Sequence, residues 1–275
     1  MLPWEEPFIH MIRQQKPLIH CITNYVSAGD VANILLALGA SPVMADERQE
    51  AEEITGSSNA LVLNLGTLNE ARLEAMIAAG KKAASLSQPV VLDPVGAASS
   101  AFRKKAAARI IDEIPCGVIR GNASEILTIA GLPVSARGVD AGNADDNKKI
   151  DEDILKSLSR RTGAVIVVSG AIDLIADTNH VCRVKNGHPM MTRITGTGCM
   201  MSAVIAAFQA VDLAAAKDTY ERTMCAVAAA GICGEMAYQK TMAADGGNGS
   251  FRMYYLDVMS KLTDDLVKGR ANIEI

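Results

Sequence analysis

The stretch ALVLNLGTLNEARLEAMIAAGKKAASLSQPVVL, residues 60–92, sets the pattern of the fold. The apolar runs Ala60–Leu65 and Pro89–Leu92 have the length of buried strands, and Asn69–Ser85 between them has the spacing of a surface helix. A strand, a helix and a second strand in this order form the unit that places two parallel strands in one sheet. The stretch therefore predicts an α/β fold with a mainly parallel sheet.

The same alternation continues on both sides of this stretch. Further strands are predicted at Leu18–Thr23, Pro42–Ala45, Gly117–Arg120 and Ala164–Ser169, and further helices at Asp30–Leu38, Ala101–Ile111 and Ser124–Ala130. Because several of the strands are apolar at every position, we expect helices to cover both faces of the sheet. The predicted architecture is a three-layer α/β/α sandwich.

The pattern changes after Ser169. Ala171–Ala176 and Val181–Val184 flank the turn sequence Asp177–Asn179 and predict an antiparallel hairpin at the edge of the sheet. Helices are predicted at Cys199–Ala210 and Leu213–Gln239, and a last amphipathic helix follows the loop 244–250 and runs through Leu266, while 137–149 has the composition of a solvated excursion. No repeat or linker divides the chain, so residues 1–275 are predicted to form a single domain.

Composition and charge exclude several classes of protein. Of the 275 residues, 49% are hydrophobic and 21% charged, which is incompatible with a disordered chain. The net charge is −4 and aromatic residues make up only 4%, so the basic surface and stacking rings of a nucleic-acid-binding protein are not expected.

The sequence also favours a cytoplasmic protein. No apolar run approaches the ~18 residues of a membrane span. Glu5 and Glu6 interrupt the place where a secretory signal would have its apolar region. The six cysteines form no C-x-x-C pair or metal-ligand spacing, and five of them are expected to be small buried hydrophobic residues.

The sixth cysteine belongs to ITGTGC, residues 194–199, which precedes an uncharged helix. Two glycines let the backbone approach a ligand, and the first-turn N–H groups would then form an anion hole for a phosphoryl group. At a helix start the pKa of Cys199 should be lowered, so that the thiol could accept a proton from a substrate hydroxyl. A glycine-rich helix entry without a ligand, and a cysteine that only fills space, remain the alternatives.

Polar residues follow three other predicted strands. Asn122 and Glu125 could share a hydrated magnesium ion, or could simply cap a helix. Asp93 lies at a strand end, where α/β sheets bind ligands, but also in a turn-forming Asp-Pro sequence. Asn24 could hydrogen-bond a small heterocycle or form an Asx turn, and His20 inside its apolar strand is typical of a core histidine.

Together these segments resemble one family. The matching motifs are HCITNYV (20–26), VMAD (43–46), NLGT (64–67), LDPVGA (92–97), RGNASE (120–125), VVSG (167–170) and ITGTGCM (194–200). They look like hydroxyethylthiazole kinase, of the ribokinase-like superfamily, and run in order from about Ile19 to Phe251. GTGC discriminates best, because relatives in the superfamily usually carry Asp at the position of Cys199.

The resemblance implies transfer of the ATP γ-phosphate to the primary hydroxyl of 4-methyl-5-(2-hydroxyethyl)thiazole, a step in thiamine salvage. It implies Mg²⁺ as cofactor and a homotrimer with active sites between subunits. By matching position, Met44, Gly196 and Asn24 would bind the thiazole, and Arg120 and Ser169 would bind ATP. Asn122 and Glu125 would organise the magnesium ion, and Cys199 would be the base. Their places in the anion hole and at a strand end add Thr195 and Gly198 to the ATP site and Asp93 to the magnesium site.

Three alternatives remain open at this stage. The chain could be a kinase of hydroxymethylpyrimidine or pyridoxal, or a hydro-lyase that repairs hydrated nicotinamide nucleotides. Cys199 argues against both. A non-catalytic nucleotide-binding module is disfavoured because Asn122, Glu125 and Cys199 occur together.

Overall fold

The computed structural model describes residues 4–132, 150–212 and 219–275. Within them the strands are β1 (Leu18–Ile22), β2 (Ser41–Val43), β3 (Ala60–Asn64), β4 (Val90–Asp93), β5 (Val118–Asn122), β6 (Val165–Ser169), β7 (Asp173–Ala176), β8 (Val181–Val184) and β9 (Ile273–Glu274). The helices are α1 (Phe8–Gln15), α2 (Ala28–Leu38), α3 (Ala51–Gly56), α4 (Glu70–Ser85), α5 (Ala101–Glu113), α6 (Ala123–Ile129), α7 (Glu152–Thr162), α8 (Thr197–Gln209), α9 (Thr219–Ala243), α10 (Asn248–Lys261) and α11 (Asp264–Arg270), with a 3₁₀ helix at Pro189–Arg193.

The described strands form one sheet in the order β2-β1-β3-β4-β5-β6-β7-β8-β9. The first six are parallel and the last three antiparallel, which confirms the mainly parallel sheet. The hairpin β7–β8 also forms, but its predicted place at the sheet edge is wrong. The C-terminal β9 pairs with β8 and takes the edge, and a two-residue strand carries no periodicity that would reveal it.

Two apolar cores lie on opposite faces of the sheet and confirm the three-layer architecture. Along β3, Val62 belongs to the core shared with α2, α8, α9 and α10, whereas Leu61 and Leu63 belong to the core shared with α4, α5 and α7. Successive strand residues point to opposite faces, so a strand covered on both sides must be apolar throughout. This is why the continuous apolar runs predicted the layers correctly.

The helices differ from the predictions in number and in extent. The sequence interpretation did not include α1, α3 and α7. The predicted last helix through Leu266 is divided, because the Thr263 hydroxyl caps α11 by accepting the N–H of Leu266 and Leu262 has extended backbone; the preceding loop is also shorter than predicted, since α10 already begins at Asn248. The predicted excursion at 137–149 and the start of the predicted helix at 213–218 lie outside the described residues.

The cysteines behave as expected. All six are free thiols, and every one except Cys199 is buried. Among the helices of the described residues, none combines the length and the apolar composition needed to cross a membrane.

Candidate active site

Several predicted site residues lie together at the carboxyl ends of neighbouring parallel strands. Asn24 follows β1 by two residues, Asp93 ends β4, and Ser169 ends β6. Between the last two, β5 carries Arg120 and ends at Asn122. Parallel strands have the same direction, so their carboxyl ends lie on the same side of the sheet, where α/β proteins bind ligands.

Helix α8 begins beside these carboxyl ends. Its N-cap Gly196 has φ +87° and no side-chain cap, and a Cβ there would lie 2.9 Å from the Cβ of Ser27. Both the backbone angle and the close approach require glycine. Gly196 O accepts the N–H of Met200 at 2.8 Å, so the amides of 197–199 have no acceptor within the helix. Thr195 is exposed just before this turn. The glycine-rich helix start is confirmed, whereas anion binding there stays a prediction.

The Cys199 sulfur lies in the first turn of α8 and accepts hydrogen bonds from two amides. Asn24 Nδ2 is 3.3 Å and Asn64 Nδ2 3.2 Å from Sγ. Burial raises the pKa of the thiol and the charge of Asp93 raises it further, while hydrogen bonds and Arg120 oppose the shift. The expected lowering of this pKa is wrong, because desolvation outweighs the helix start at this depth.

Asp93 is fully buried and, like the Cys199 thiol, accepts a hydrogen bond from Asn64. Its Oδ2 accepts from Asn64 Nδ2 and from Ser202 Oγ, both at 2.9 Å, and lies 3.7 Å from Arg120 Nη1. Burial raises the pKa of this carboxyl. Within the described residues Oδ1 has no hydrogen-bond partner although it is buried. Such an oxygen is costly to bury and is suited to a ligand.

Arg120 contacts two other residues predicted to bind ATP, Ser169 and Gly198. Its Nη2 donates to Ser169 Oγ at 2.6 Å. A Cβ on Gly198 would lie 2.5 Å from Nη1, so the guanidinium rests directly on the glycine in the first turn of α8. Arg120, Ser169 and Gly198 therefore form one contiguous, positively charged group.

Asn122 and Glu125 form a complete capping box at the start of α6. Glu125 Oε1 accepts the N–H of Gly96 and Oε2 that of Asn122, both at 2.8 Å. Asn122 Oδ1 accepts from the N–H of Glu125 and the hydroxyl of Ser124. Burial, followed by the charge of Asp93, raises the pKa of Glu125 to about 7. The structure therefore shows the capping alternative. The capping hydrogen bonds occupy the Asn122 oxygen, whereas each Glu125 oxygen keeps a second lone pair.

Met44 and His20 lie on the β1–β2 side of the sheet. Met44 directly follows β2, and its side chain is 40% exposed. His20 is buried, with Nδ1 2.8 Å from Thr55 Oγ1 and Nε2 2.7 Å from the carbonyl of Ala45. The interpretation of His20 as a satisfied core histidine is confirmed, and a thiazole contact of Met44 stays a prediction.

Comparison with known proteins decides the family. The model of the Hydroxyethylthiazole kinase family matches residues 9–265. The chain belongs to this family. A hydroxyethylthiazole kinase from Clostridium acetobutylicum is 46% identical over 270 residues, which cover 96% of this chain and 96% of that protein. Membership of the hydroxyethylthiazole kinase family makes the chain a kinase.

Solved structures agree with the fold. The structure of a hydroxyethylthiazole kinase protein from Pyrococcus horikoshii OT3 matches with a TM-score of 0.85 and 31% identity over 97% of this chain and 96% of that one. A ribokinase-like superfamily protein from Enterococcus faecalis V583 matches with a TM-score of 0.61 at 12% identity, over 95% of this chain and 91% of that one. The second likeness concerns the fold alone, which is ribokinase-like.

Three polar residues in or beside the candidate site received no role from the sequence. They are Asn64, Ser202 and Asp173, each buried. Asp173 Oδ1 accepts the N–H of Gly170 at 2.9 Å, and burial raises its pKa to about 7. For Asn64 a signal was present, because a polar residue inside the apolar run LVLNL must find partners in the interior. Ser202 lies in an equally apolar helix and could have been identified in the same way.

Proposed function

We propose that the chain transfers the γ-phosphate of ATP to the primary hydroxyl of 4-methyl-5-(2-hydroxyethyl)thiazole. The observation that carries this proposal is the position of the Cys199 sulfur, in the first turn of α8 and within hydrogen-bond distance of Asn24 and Asn64. A proton acceptor there would lie beside first-turn amides that have no acceptor within the helix, where an alcohol and a phosphoryl group would meet. We further propose that residues 1–275 act as a single domain in the cytoplasm.

The phosphates of ATP would lie on the positively charged side of the site. The first-turn amides of α8, at Thr197, Gly198 and Cys199, have no acceptor in the helix, and the helix dipole favours negative charge there. The guanidinium of Arg120 adds a full charge beside Gly198 and is held by Ser169. Phosphoryl transfer depends chiefly on such positioning and charge stabilisation.

Cys199 would receive the proton of the alcohol. The O–H bond breaks as the oxygen bonds to the γ-phosphorus, the proton forms an S–H bond, and the bond between the γ-phosphorus and the ADP oxygen breaks. Because the transition state is loose, the hydroxyl keeps its proton until late in the reaction. Burial raises the pKa of this thiol, which makes the sulfur a stronger proton acceptor once it is ionised.

Magnesium fits the acidic side of the site. Asp93 Oδ1 is buried without a partner among the described residues, and the Glu125 oxygens each keep a lone pair beyond their backbone hydrogen bonds. No group of three His, Cys, Asp or Glu side chains suited to a metal occurs in the described part of the chain. Magnesium commonly binds one or two carboxylates together with water and substrate phosphates, so Asp93 and Glu125 would suffice. The ion would neutralise phosphate charge, and Asn122 would act by orienting Glu125.

The thiazole would contact Gly196, Asn24 and Met44. All polar atoms of the Asn24 amide already have protein partners, so Asn24 would offer mainly its surface to the ring. Next to it, Tyr25 and Val26 are 69% and 64% exposed. Apolar side chains exposed beside a site favour contact with another subunit. Such a contact agrees with the homotrimer that the family resemblance implies, with active sites between subunits, and we propose that assembly.

Steady-state kinetics tests the function. ADP formation is followed by a coupled assay with the thiazole alcohol, pyridoxal and hydroxymethylpyrimidine as separate acceptors. We expect turnover of the thiazole alcohol, a loss in kcat of about 10²- to 10⁴-fold for Cys199→Ala, and retained activity for Cys199→Asp, which keeps an acceptor. Turnover of pyridoxal without the thiazole would overturn the proposed substrate, and an unchanged kcat for Cys199→Ala would overturn the proposed base.

A further inference from the structure

The orientation of two buried amides at Cys199 is fixed by backbone groups. Asn64 Oδ1 accepts the N–H of Gly66 at 2.9 Å, and Asn24 Oδ1 accepts the N–H of Ser27 at 2.9 Å. A backbone N–H can only donate, so in each amide the oxygen must face it. The Nδ2 groups of both asparagines are thereby directed toward the Cys199 sulfur.

Every hydrogen of the two amide groups then has an acceptor. Asn64 Nδ2 donates to Asp93 Oδ2 at 2.9 Å and to Cys199 Sγ at 3.2 Å. Asn24 Nδ2 donates to Asn64 Oδ1 at 3.0 Å and to Cys199 Sγ at 3.3 Å. Neither amide can turn without leaving a buried polar group unpaired, which is costly. The sulfur is thus held as the acceptor of both.

We propose that Asn64 is a positioning residue for Cys199, which keeps the sulfur as a hydrogen-bond acceptor with one lone pair directed at the substrate hydroxyl. This inference rests on the proposed function, in which Cys199 is the base. A thiolate has three lone pairs, of which Asn64 and Asn24 take two. The Ser27 hydroxyl is also within reach of the sulfur, but its single hydrogen is directed at Asn24 Oδ1 at 3.0 Å, which leaves the third lone pair to the substrate. When the third accepts the alcohol proton, both amide contacts persist, so proton transfer requires no rearrangement of the site.

Asn64 is better placed for this role than Asn24. It is fully buried at the end of β3, and it alone of the two contacts both Asp93 and Cys199. The turn after it reinforces the arrangement, since a Cβ on Gly66 would lie 2.6 Å from the Cβ of Asn24. Through Asn64, the Cys199 thiol of α8 is therefore hydrogen-bonded to the sheet.

Asn64→Leu tests the proposal, because leucine has similar size and branching but no donor. It is made in the wild type and in a Cys199→Ala background, as a double-mutant cycle. In the wild type we expect kcat to fall about 10- to 100-fold with little change in either KM. Alkylation of Cys199 at pH 8, followed by peptide mass spectrometry, should slow about 10- to 100-fold, because losing a donor disfavours the thiolate. In the Cys199→Ala background the same change should have almost no further effect on kcat.

Two further variants keep the test decisive. Ser202→Ala is the matched control, since it removes a donor from Asp93 but not from the thiol, and it should not slow alkylation. Asn24→Ala removes the other donor to Sγ and should slow alkylation even if Asn64→Leu fails to fold. Alkylation at the wild-type rate in the folded donor variants, or an equal loss of kcat in both backgrounds, would overturn the proposal. Failure of the proposed substrate would appear separately, as a wild type without turnover of the thiazole alcohol.

Discussion

Gly198→Ala should impair ATP use while leaving the fold intact. The added Cβ would lie 2.5 Å from Nη1 and 2.8 Å from Nη2 of Arg120. Ordinary contact begins near 3.4 Å, so the guanidinium must move by about 1 Å. The end of an arginine side chain can move at little cost to folding, but here it is also the group that holds Ser169 at 2.6 Å.

The expected magnitude follows from that hydrogen bond. A displacement of about 1 Å takes it beyond bonding distance, and a hydrogen bond to a charged group contributes about 1.5–3 kcal/mol. If the same guanidinium position stabilises the phosphates in the transition state, kcat/KM for ATP should fall about 10- to 150-fold. Thermal stability should change little, because alanine is favoured over glycine in a helix by about 1 kcal/mol and offsets part of the strain.

The chain offers a matched control in Gly249, which like Gly198 is the second residue of its helix. A Cβ on Gly249 meets nothing within 4 Å. Gly249→Ala should therefore retain the kcat/KM of the wild type in a coupled ADP assay at varied ATP. If Gly198→Ala is folded and equally active, Arg120 does not handle the nucleotide and the reasoning fails.

Three other changes probe charge and burial. Because burial and Asp93 raise the pKa of Glu125 to about 7, protons should compete with magnesium; the apparent affinity for Mg²⁺ in activity titrations should weaken about tenfold per pH unit below 7, and this dependence should diminish in Glu125→Gln. Burial raises the pKa of Asp173 to about 7, so its contribution to stability is fully present below pH 3.8 and is lost as the pH rises to 7. In urea unfolding, the free energy of unfolding of the wild type should fall by about 1.4 kcal/mol per pH unit across that window, whereas that of Asp173→Asn should not. The same pH dependence in both proteins would contradict the shift. Arg222 donates to the carbonyls of Gln209 and Val211 at 2.8 Å each at the end of α8, so Arg222→Ala should lower the free energy of unfolding by about 3 kcal/mol, as measured in urea.

The sequence predicted the parallel part of the sheet well because burial on both faces leaves a direct signature. Strands such as β3 and β6 are apolar at every position but the last, where Asn64 and Ser169 stand. Elements stabilised by tertiary contacts left no comparable signal. β9 is two residues long and forms only because the chain returns beside β8, and the six-residue α3 is too short to show helical periodicity.

Within the site, residue types were more predictable than their electrostatic state. The positions of Asn24, Asp93 and Arg120 followed from their places at strand ends. The pKa of Cys199 did not, because it depends on depth: a helix start lowers it, but burial and the nearby carboxylate act in the opposite direction and prevail. The sequence shows that Cys199 lies near a helix start, but it does not show how deeply its side chain is buried.

The charges of the site point to a division between its two sides. Asp93, Glu125 and Cys199 all have raised pKa values, and burial is the largest cause of each shift. Arg120 is the cation whose charge opposes all three, so positive charge is scarce before any ligand binds. A nucleotide would add negative charge and increase that deficit. A cation beside Asp93 and Glu125 would therefore be a condition for placing phosphates on the first-turn amides of α8.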